Sequence, residues 1–319
     1  NFAGITENEI IKIVFAGNTT MLHLLLGINP KSLALAPFKA KFLNEQIKQG
    51  KDIGLKSLPQ AEVKVLPSVS AFVGADIVAG LASIAPSEKY KNYLFMDIGT
   101  NGELALVSAQ KVLCCSTAAG PAFEGARISC GMGAVEGAIA AFGKNGYTVI
   151  GDEKPSGICG SGLIDLIALL LEQDKISIEG QLKDDYIIAP ENDTSSGKSI
   201  SLNQNDVREV QLAKSAIASG VKILLKQAGM RFNELDALFL AGGFGNYINT
   251  ESAVRIGLLP EEMKNKIIPL GNTSGTGAIL ALKSVKFDEV IQNLLSRTKH
   301  IELAEDEDFA VEFAMNMFF

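Results

Sequence analysis

The sequence predicts an α/β fold built from a duplicated unit, and two patterns support this prediction. Short apolar strands run directly into glycine-containing turns at four places: Phe15–Gly17, Met96–Gly99, Leu240–Gly243 and Leu270–Gly271. Two helices dense in alanine and glycine, Phe72–Ile84 and Ser274–Ser284, each follow a strand. Because ligands of α/β sheets bind beyond the carboxyl ends of the strands, we expect a ligand site at these turns, between the two halves.

In the first half, Glu9–Phe15 is an apolar run of β type that stops shortly before a glycine. We expect Thr19 and Thr20 to cap the helix that follows it. Residues 29–60 contain several prolines and glycines and little periodicity, which is typical of loops. Glu62–Leu66 is the second predicted strand and precedes the first of the two small-residue helices.

The second half begins with three predicted strands in a meander and a helical segment that opens at Pro121. These strands are Tyr93–Asp97, Glu103–Ser108 and Lys111–Ser116. Gly160–Glu172 is an apolar helix, and the polar stretch 174–202 is predicted as turns. Asn203–Ala228 is the clearest amphipathic helix, with Asn203 at its N-cap, Asp206 in its first turn and a glycine directly after it. Two more buried strands are expected at Ala237–Leu240 and Ile267–Leu270.

Composition narrows the class of protein. A chain of 319 residues is long enough for about two domains. The net charge of −7 has the wrong sign for a protein that binds nucleic-acid backbones, and tryptophan is absent. No apolar run approaches the roughly 18–20 residues that a membrane span requires. Four cysteines fit neither a disulfide framework nor a C-x-x-C metal site, so we expect a cytoplasmic protein. From the charge and the short apolar runs, we expect neither nucleic-acid nor membrane partners.

The segment Asp97–Glu103 has the composition of a phosphate-binding turn. Gly99 and Gly102 would let several backbone N–H groups point at one anion, and Thr100 and Asn101 add side-chain donors. Asp97, at the end of an apolar strand, is placed to hold the waters of a magnesium ion that bridges phosphate oxygens. An ordinary β-hairpin turn, which Asn101–Gly102 alone would justify, is the alternative.

A second glycine-rich turn, Ala241–Asn246, follows another apolar strand. Gly242 and Gly243 permit the close approach of a flat ligand, although the same glycines also serve simply to turn the chain. The dinucleotide fingerprint fails because Ile248 occupies its third glycine position. The P-loop pattern fails as well, because Asn192 stands where its leading glycine is required.

Three further features remain open to two interpretations. Glu124 is positioned to orient a water molecule, but a carboxylate at a helix start also suits the helix dipole. Gly157–Gly162 could supply amides to a phosphate or merely begin the next helix. His23 and His300 lack a partner histidine for metal or triad chemistry and are expected to be structural or solvated.

Taken together, three motifs occur in a diagnostic order: Asp-x-Gly-Thr-Asn-Gly-Glu, then Ala-Gly-Gly-Phe-Gly-Asn, then a Gly/Ala-rich helix. This order resembles the ATPase superfamily of actin, sugar kinases and heat-shock chaperones (ASKHA). More closely, the chain resembles the carboxy-terminal ATPase domain of the reductive activators of corrinoid proteins. The likeness is carried by Phe15–Leu26, Leu94–Glu103, Ala118–Met132, Gly157–Leu166, Ala241–Tyr247, Ile256–Pro260 and Gly271–Leu282.

The resemblance implies two ribonuclease-H-like lobes, the first incomplete at its N-terminus because the first phosphate loop should precede Glu9. It implies a division into residues 1–90 (the rest of the first lobe), 91–285 (the second lobe, with an insertion around 174–202) and 286–319 (a helical tail). Asp97 to Gly102 would match the second phosphate loop. The adenosine loop would comprise Gly242, Gly243 and Asn246, with Lys214 as an adenine neighbour.

The function implied by the resemblance is ATP-dependent reductive activation. ATP turnover, with Mg²⁺ on Asp97 through water and with Asp97 and Glu124 as catalytic residues, would drive reduction of a corrinoid to Co(I). The corrinoid protein would belong to a methyltransferase or O-demethylase system. The electron would come from a [2Fe–2S] cluster in an N-terminal part of the parent polypeptide, because no ferredoxin-like cysteine cluster occurs here. A homodimer is also expected.

Three other hypotheses stay open from the sequence. A small-molecule kinase of the same fold would need an acceptor-binding aspartate, and a degenerate cleft would leave a dimerisation scaffold. The third hypothesis places an iron–sulfur cluster between subunits through Cys130 or Cys159, as in dehydratase activators of the same superfamily.

Overall fold

The computed structural model describes residue 4 and residues 6–85, 89–143 and 146–319. Its strands are β1 (Lys12–Phe15), β2 (Gln46–Gln49), β3 (Glu62–Val65), β4 (Tyr93–Ile98), β5 (Gly102–Val107), β6 (Val112–Thr117), β7 (Ala138–Gly143), β8 (Gly146–Val149), β9 (Gly157–Ile158), β10 (Tyr186–Ala189), β11 (Ile200–Leu202), β12 (Ala237–Ala241), β13 (Ile267–Gly271) and β14 (Thr298–His300).

The α-helices alternate with these strands over most of the chain. They are α1 (Thr19–Leu25), α2 (Lys31–Ala34), α3 (Ala75–Ile84), α4 (Gly160–Glu172), α5 (Gln204–Ala228), α6 (Gly242–Tyr247), α7 (Thr250–Arg255), α8 (Thr273–Lys283), α9 (Lys286–Ser296) and α10 (Phe309–Met315). Short 3₁₀ turns lie at Glu7–Glu9, Gly50–Ile53, Pro121–Glu124, Glu191–Asp193, Phe232–Glu234, Glu261–Lys266 and Leu303–Glu305.

The described strands form four sheets. The largest has the order β13-β12-β4-β5-β6-β14, and the others are β1-β3-β2, β8-β7-β9 and β10-β11. In the largest sheet β12 runs parallel to β4, in a register that sets Ala241 beside Asp97. The carboxyl ends of these two strands therefore meet at the same edge of the sheet, although 144 residues separate them along the chain (241 − 97 = 144).

The described residues divide into two compact units. The first spans those up to Lys91, with Val107–Cys115 and Asn272–Ile301. Here α3 and α8 pack so closely that a Cβ at Gly277 would lie 2.6 Å from the carbonyl carbon of Ala79, which leaves no room for a side chain.

Lys64 is a buried cation of this unit. Burial lowers the pKa of Lys64, but hydrogen bonds and charge attraction from Asp288 and Glu45 outweigh burial and raise it.

The second unit comprises Asn92–Leu106, Ser116–Gly271 and Glu302–Phe319. Its core contains β4 and β12, whose apolar side chains are buried, together with α4 and α5. The predicted limits of α5 are confirmed. The side chain of Asn203 accepts from the N–H groups of Asn205 and Asp206, and Gly229 ends the helix in the left-handed region at φ 69°.

The structure corrects several boundaries. Asn18 rather than Thr19 or Thr20 caps α1, because the Asn18 side chain accepts the Met21 N–H at 2.8 Å. β1 begins at Lys12, since residues 7–9 form a 3₁₀ turn. The first small-residue helix begins at Ala75, three residues later than predicted (75 − 72 = 3), because residues 70–73 form a turn closed by bonds between Ser70 and Val73.

Short elements escaped prediction where sequence periodicity is weak. The polar stretch 174–202 contains the antiparallel pair of β10 and β11. The small sheet of β7, β8 and β9 was not predicted either. Within the described ranges, no helix has both the length and the apolar character that a bilayer crossing needs.

Candidate functional site

A cavity of about 510 Å³ opens in the second unit at the carboxyl ends of β4 and β12. It collects residues from five separate stretches of the chain. They are Asp97, Ile98, Gly99, Phe123, Glu124, Met132, Gly133, Ala134, Cys159, Gly160, Ser161, Gly243, Phe244 and Tyr247. Of the predicted site residues, the structure thus brings Asp97, Gly99, Glu124 and Gly243 to one cavity.

Asp97 and the diglycine turn are in direct contact. Gly242 adopts φ +80°, in the region that side chains other than glycine rarely enter. A Cβ at this position would overlap Asp97 Oδ1, so glycine is required both by the turn and by the neighbouring carboxylate. Gly243 leaves open space instead, because no described atom lies within 4 Å of where its Cβ would be. A ligand can therefore approach the main chain there.

The turn after β4 closes on itself and presents polar groups. The Gly99 N–H donates to Asn101 O at 2.9 Å, and both Thr100 and Asn101 are exposed. Gly102 has a different role, since a Cβ there would lie 2.7 Å from Thr117 Oγ1 and 2.8 Å from Ile217 Cγ1. Close packing of β5 explains this glycine.

Glu124 ends the 3₁₀ turn Pro121–Glu124 and faces the same turn after β4. The Thr100 hydroxyl donates to Glu124 Oε2. A Cβ at Gly99 would lie 3.8 Å from Glu124 Oε1, which places this exposed carboxylate beside the hairpin backbone. Asp97 and Glu124 thus line the same cavity. The turn after β4 lies between these two residues in the sequence.

The N-terminus of α4 forms another wall. Cys159 is its N-cap residue, and no described side chain caps the helix. Gly160 has no room for a side chain, because a Cβ there would overlap the carbonyl oxygen of Phe123. Cys159, Gly160 and Ser161 line the cavity, so the N-terminus of this 13-residue helix faces it, a favourable arrangement for an anion. The Gly157–Gly162 run was the sequence signal for it, although none of its residues was among the predicted site residues.

Aromatic side chains complete the cavity, and no sequence motif singled them out as site residues. The rings of Phe123 and Phe244 are stacked, with centroids 5.4 Å apart and planes inclined by 17°. Tyr247 is 75% exposed at the rim. Since these residues come from distant parts of the chain, only their assembly in the fold identifies them as one wall.

Of the remaining predicted nucleotide contacts, Lys214 lies away from the cavity, and the side chain of Asn246 is not among those that the structure describes. Lys214 is 2% exposed and does not line the cavity; its ammonium group donates to Phe318 O and lies over the Phe319 ring. Burial, with repulsion from Lys222, lowers the pKa of Lys214 to about 8. Asn246 belongs to α6, and its side chain lies outside the described part of the chain.

The site offers carboxylate oxygens rather than a ready-made metal cage. Within the described residues, no group of three or more His, Cys, Asp or Glu side chains is arranged to hold a metal ion. Mg²⁺ usually keeps several waters and needs only one or two protein carboxylates when phosphates supply other ligands. Asp97, next to two glycine backbones, fits that requirement.

The cysteines differ in environment. Cys114 is buried in β6, and burial raises the pKa of its thiol to about 12, which suits an inert thiol. Cys159 lines the cavity and is 3% exposed.

Family models match almost the whole chain. Residues 91–319 match the model described as the C-terminal domain of RACo, the ASKHA domain. Residues 1–86 match the model of the RACo middle region.

Individual relatives agree with these matches. The corrinoid activation enzyme RamQ of Eubacterium limosum is 39% identical over 344 residues, covering 99% of this chain and 57% of that protein. The [Co(II) methylated amine-specific corrinoid protein] reductase of Methanosarcina barkeri is 28% identical over 339 residues, covering 95% of this chain and 61% of that protein. This chain therefore spans less than two thirds of the length of either relative.

A solved structure has the same fold. The reductive activator for a corrinoid, iron–sulfur protein superposes with a TM-score of 0.88 at 34% sequence identity. The match covers 100% of this chain and 54% of that protein.

Proposed function

The chain belongs to the RACo family and has the α/β ASKHA fold, and from this premise we propose that it is the ATP-binding part of a reductive activator. The activator restores Co(I) in the corrinoid protein of a methyltransferase or O-demethylase system. The names of the relatives support this proposal, since each of them acts on a corrinoid protein or is a corrinoid activation enzyme.

One observation carries the nucleotide-binding part of the proposal. Asp97, the diglycine turn and the uncapped N-terminus of α4 border a single cavity in the second unit. Backbone N–H groups and a helix N-terminus stabilise phosphate, while a nearby carboxylate holds the hydrated cation that accompanies it. The combination suits a nucleoside triphosphate with Mg²⁺ better than it suits a neutral ligand.

The residues present fit such a ligand. Gly243 lines the cavity and has open space where a Cβ would be, so phosphate oxygens can approach the main chain there. When bound, Mg²⁺ would neutralise charge on the phosphates, and Asp97 would hold it through water.

Residues of this chain would bind the phosphates, exclude water and accept a proton. Backbone N–H groups of the hairpin would bind phosphate oxygens, and the stacked Phe123 and Phe244 would exclude bulk water from one side. Glu124 would orient the attacking water and accept its proton, held in place by the Thr100 hydroxyl. Proton acceptance by a positioned carboxylate contributes about 10²–10⁴-fold to a typical rate.

The remaining parts of the activity lie beyond this cavity. We assign the electron supply to a [2Fe–2S] cluster carried outside this chain, and the docking partner to a corrinoid protein. We also propose that the protein is a homodimer and that it is cytoplasmic. Hydrolysis of ATP would drive an uphill electron transfer, which requires the nucleotide site to respond to the partner.

Titration of MgATP into the full-length protein by calorimetry tests the proposal. Asp97→Asn removes the charge at nearly constant volume, and we expect the affinity for MgATP to fall at least about tenfold. Asp152→Asn, at an exposed loop position, is the matched control and should bind like the wild type. Unchanged affinity and turnover in the Asp97 variant would refute the site.

A further inference from the structure

The segment from Pro121 to Ala134 reaches the cavity at both ends. Phe123 and Glu124 line the cavity near its beginning, and Met132, Gly133 and Ala134 line it near its end. The position of Glu124 therefore depends on how the intervening residues are held.

The middle of this segment forms a tightly closed loop. A Cβ at Gly125, which adopts φ +84°, would lie 2.5 Å from the nitrogen and the oxygen of Met132. Arg127 also adopts a positive φ of 63°, a costly conformation for a residue other than glycine. Main-chain bonds within the loop offset part of this cost, among them Gly131 N–H to Ile128 O at 3.0 Å, and contacts from outside the loop add to them.

Asp206 supplies such contacts from the first turn of α5. Its Oδ1 accepts the Ser129 N–H at 2.8 Å, and its Oδ2 accepts the Ser129 hydroxyl at 2.5 Å. Asp206 is 1% exposed, so the carboxylate that accepts both bonds is buried, whereas Ser129 itself is exposed. The Asn203 side chain adds a donor to Ser129 Oγ at 3.0 Å.

Helix capping alone does not account for this arrangement. In the capping box, Asp206 Oδ2 accepts the Asn203 N–H at 3.0 Å, which satisfies the helix terminus with one oxygen. The other oxygen, Oδ1, accepts the main-chain N–H of Ser129, which lies 77 residues away in sequence. Burying a charged carboxylate is costly unless it is hydrogen-bonded, so the burial of Asp206 depends on the bonds from Ser129 as well as on the helix cap.

We propose that Asp206 is a positioning residue for the nucleotide site: it anchors the loop through Ser129 and thereby holds Glu124 beside Thr100. This inference rests on the proposed function, because it concerns the water that Glu124 orients. Asp206 would then affect ATP turnover although it does not touch the nucleotide.

The test compares Asp206→Asn with Glu209→Gln in the full-length protein. In the first variant an amide NH2 replaces one carboxylate oxygen at constant volume, so the side chain can no longer accept from both the Ser129 N–H and the Asn203 N–H, and the anchor is weakened. Glu209 is the matched control, because it lies on the same helix and contacts the same loop through Arg127, at 3.9 Å. Ser129→Ala, which removes the hydroxyl bond to Asp206 Oδ2 and keeps both the main-chain bond to Oδ1 and the cap of α5, serves if Asp206→Asn folds poorly.

Two readouts are needed. In the protein without nucleotide, we expect faster amide hydrogen exchange over residues 126–132 in Asp206→Asn than in Glu209→Gln. With MgATP, we expect kcat to fall about tenfold while KM changes less than about threefold, because the phosphate-binding elements remain in place. A purely structural role would lower the thermal midpoint and leave kcat of the folded enzyme unchanged.

The outcomes separate the two proposals. Unchanged hydrogen exchange, or unchanged kcat in a variant with normal KM, would overturn the role of Asp206 and leave the nucleotide site standing. Failure of the wild-type protein to bind MgATP would overturn the proposed function together with the catalytic part of this inference.

Discussion

Asp97 and Gly242 stand side by side at the ends of two parallel strands, so close that any Cβ at position 242 would overlap Asp97 Oδ1. The carboxylate and the diglycine backbone therefore fix each other. A side chain added at position 242 must displace the Asp97 carboxylate, so a substitution at Gly242 tests the site without changing Asp97 itself.

Gly242→Ala is expected to displace Asp97 and to weaken MgATP binding at least about tenfold, because the methyl group and the carboxylate cannot share the same space. The left-handed conformation adds a strain of about 1–2 kcal/mol. Fluorescence or calorimetric titration in the full-length protein measures the affinity.

Gly229→Ala is the control for strain alone. Gly229 has a similar φ of +69°, and no described atom lies within 4 Å of where its Cβ would be. This variant should lose stability without losing affinity. Equal affinities in both alanine variants would contradict the steric argument at Gly242.

Local sequence patterns were sufficient to predict much of the fold. The apolar strands β4 and β12, the capping residues of α5 and the glycine that ends it all depend on neighbours within a few positions, and all were predicted near their true bounds. The start of α1 was misassigned because three consecutive residues are all good N-caps, and Asn18, the first of them, is the one whose side chain accepts the Met21 N–H.

The composition of the cavity depends on contacts that no local pattern encodes. Phe123 and Phe244 stack although 121 residues separate them (244 − 123 = 121), and Ser129 binds Asp206 across 77 residues. Conversely, Lys214 has the chemistry of a phosphate or adenine contact, but the fold buries it beneath Phe318 and Phe319. Residue type and spacing cannot distinguish these cases.

The contact between Thr100 and Glu124 gives a second prediction. Thr100→Val keeps the side-chain volume and removes the hydroxyl that donates a hydrogen bond to Glu124. We expect ATP turnover to fall about tenfold, since an unanchored carboxylate spends less time in the productive orientation. Steady-state kinetics with MgATP measures the effect. Thr148→Val, at an exposed position on β8, should keep wild-type turnover; a similar loss in both variants would point to a general effect on the protein.

His23 provides a prediction on stability. The Lys41 N–H donates to His23 Nε2 at 3.0 Å, so Nδ1 must carry the proton and donate to Thr19 O at 2.7 Å. The ring also stacks on Phe42, with centroids 4.5 Å apart. The buried histidine thus connects α1 to the following loop in its neutral form.

His23→Phe retains the stacking but leaves the Lys41 N–H without an acceptor. We expect the free energy of unfolding to fall by about 1–3 kcal/mol, measured by urea denaturation. Met21→Ala, on the exposed side of the same helix, should change it by less than about 0.5 kcal/mol. A His23→Phe variant as stable as the wild type would show that the two hydrogen bonds contribute little.

Lys214 gives the last prediction, on the pH dependence of stability. Burial, followed by repulsion from Lys222, lowers its pKa from 10.5 to about 8 in the folded protein. Between these two values the unfolded chain binds more protons than the folded one, so this group makes the free energy of unfolding rise with pH. The destabilisation is complete below about pH 8 and disappears above about pH 10.5, with a span of up to about 3 kcal/mol.

Lys214→Met removes the titrating group, while losing the bond to Phe318 O at every pH. The stability of the wild type relative to this variant should therefore increase from pH 8 to pH 10.5, as measured by urea denaturation. Lys183→Met, at an exposed position, should show a constant difference over the same range. Parallel curves for the wild type and Lys214→Met would mean that Lys214 ionises in the folded protein as it does in water, which its burial beneath Phe318 and Phe319 should prevent.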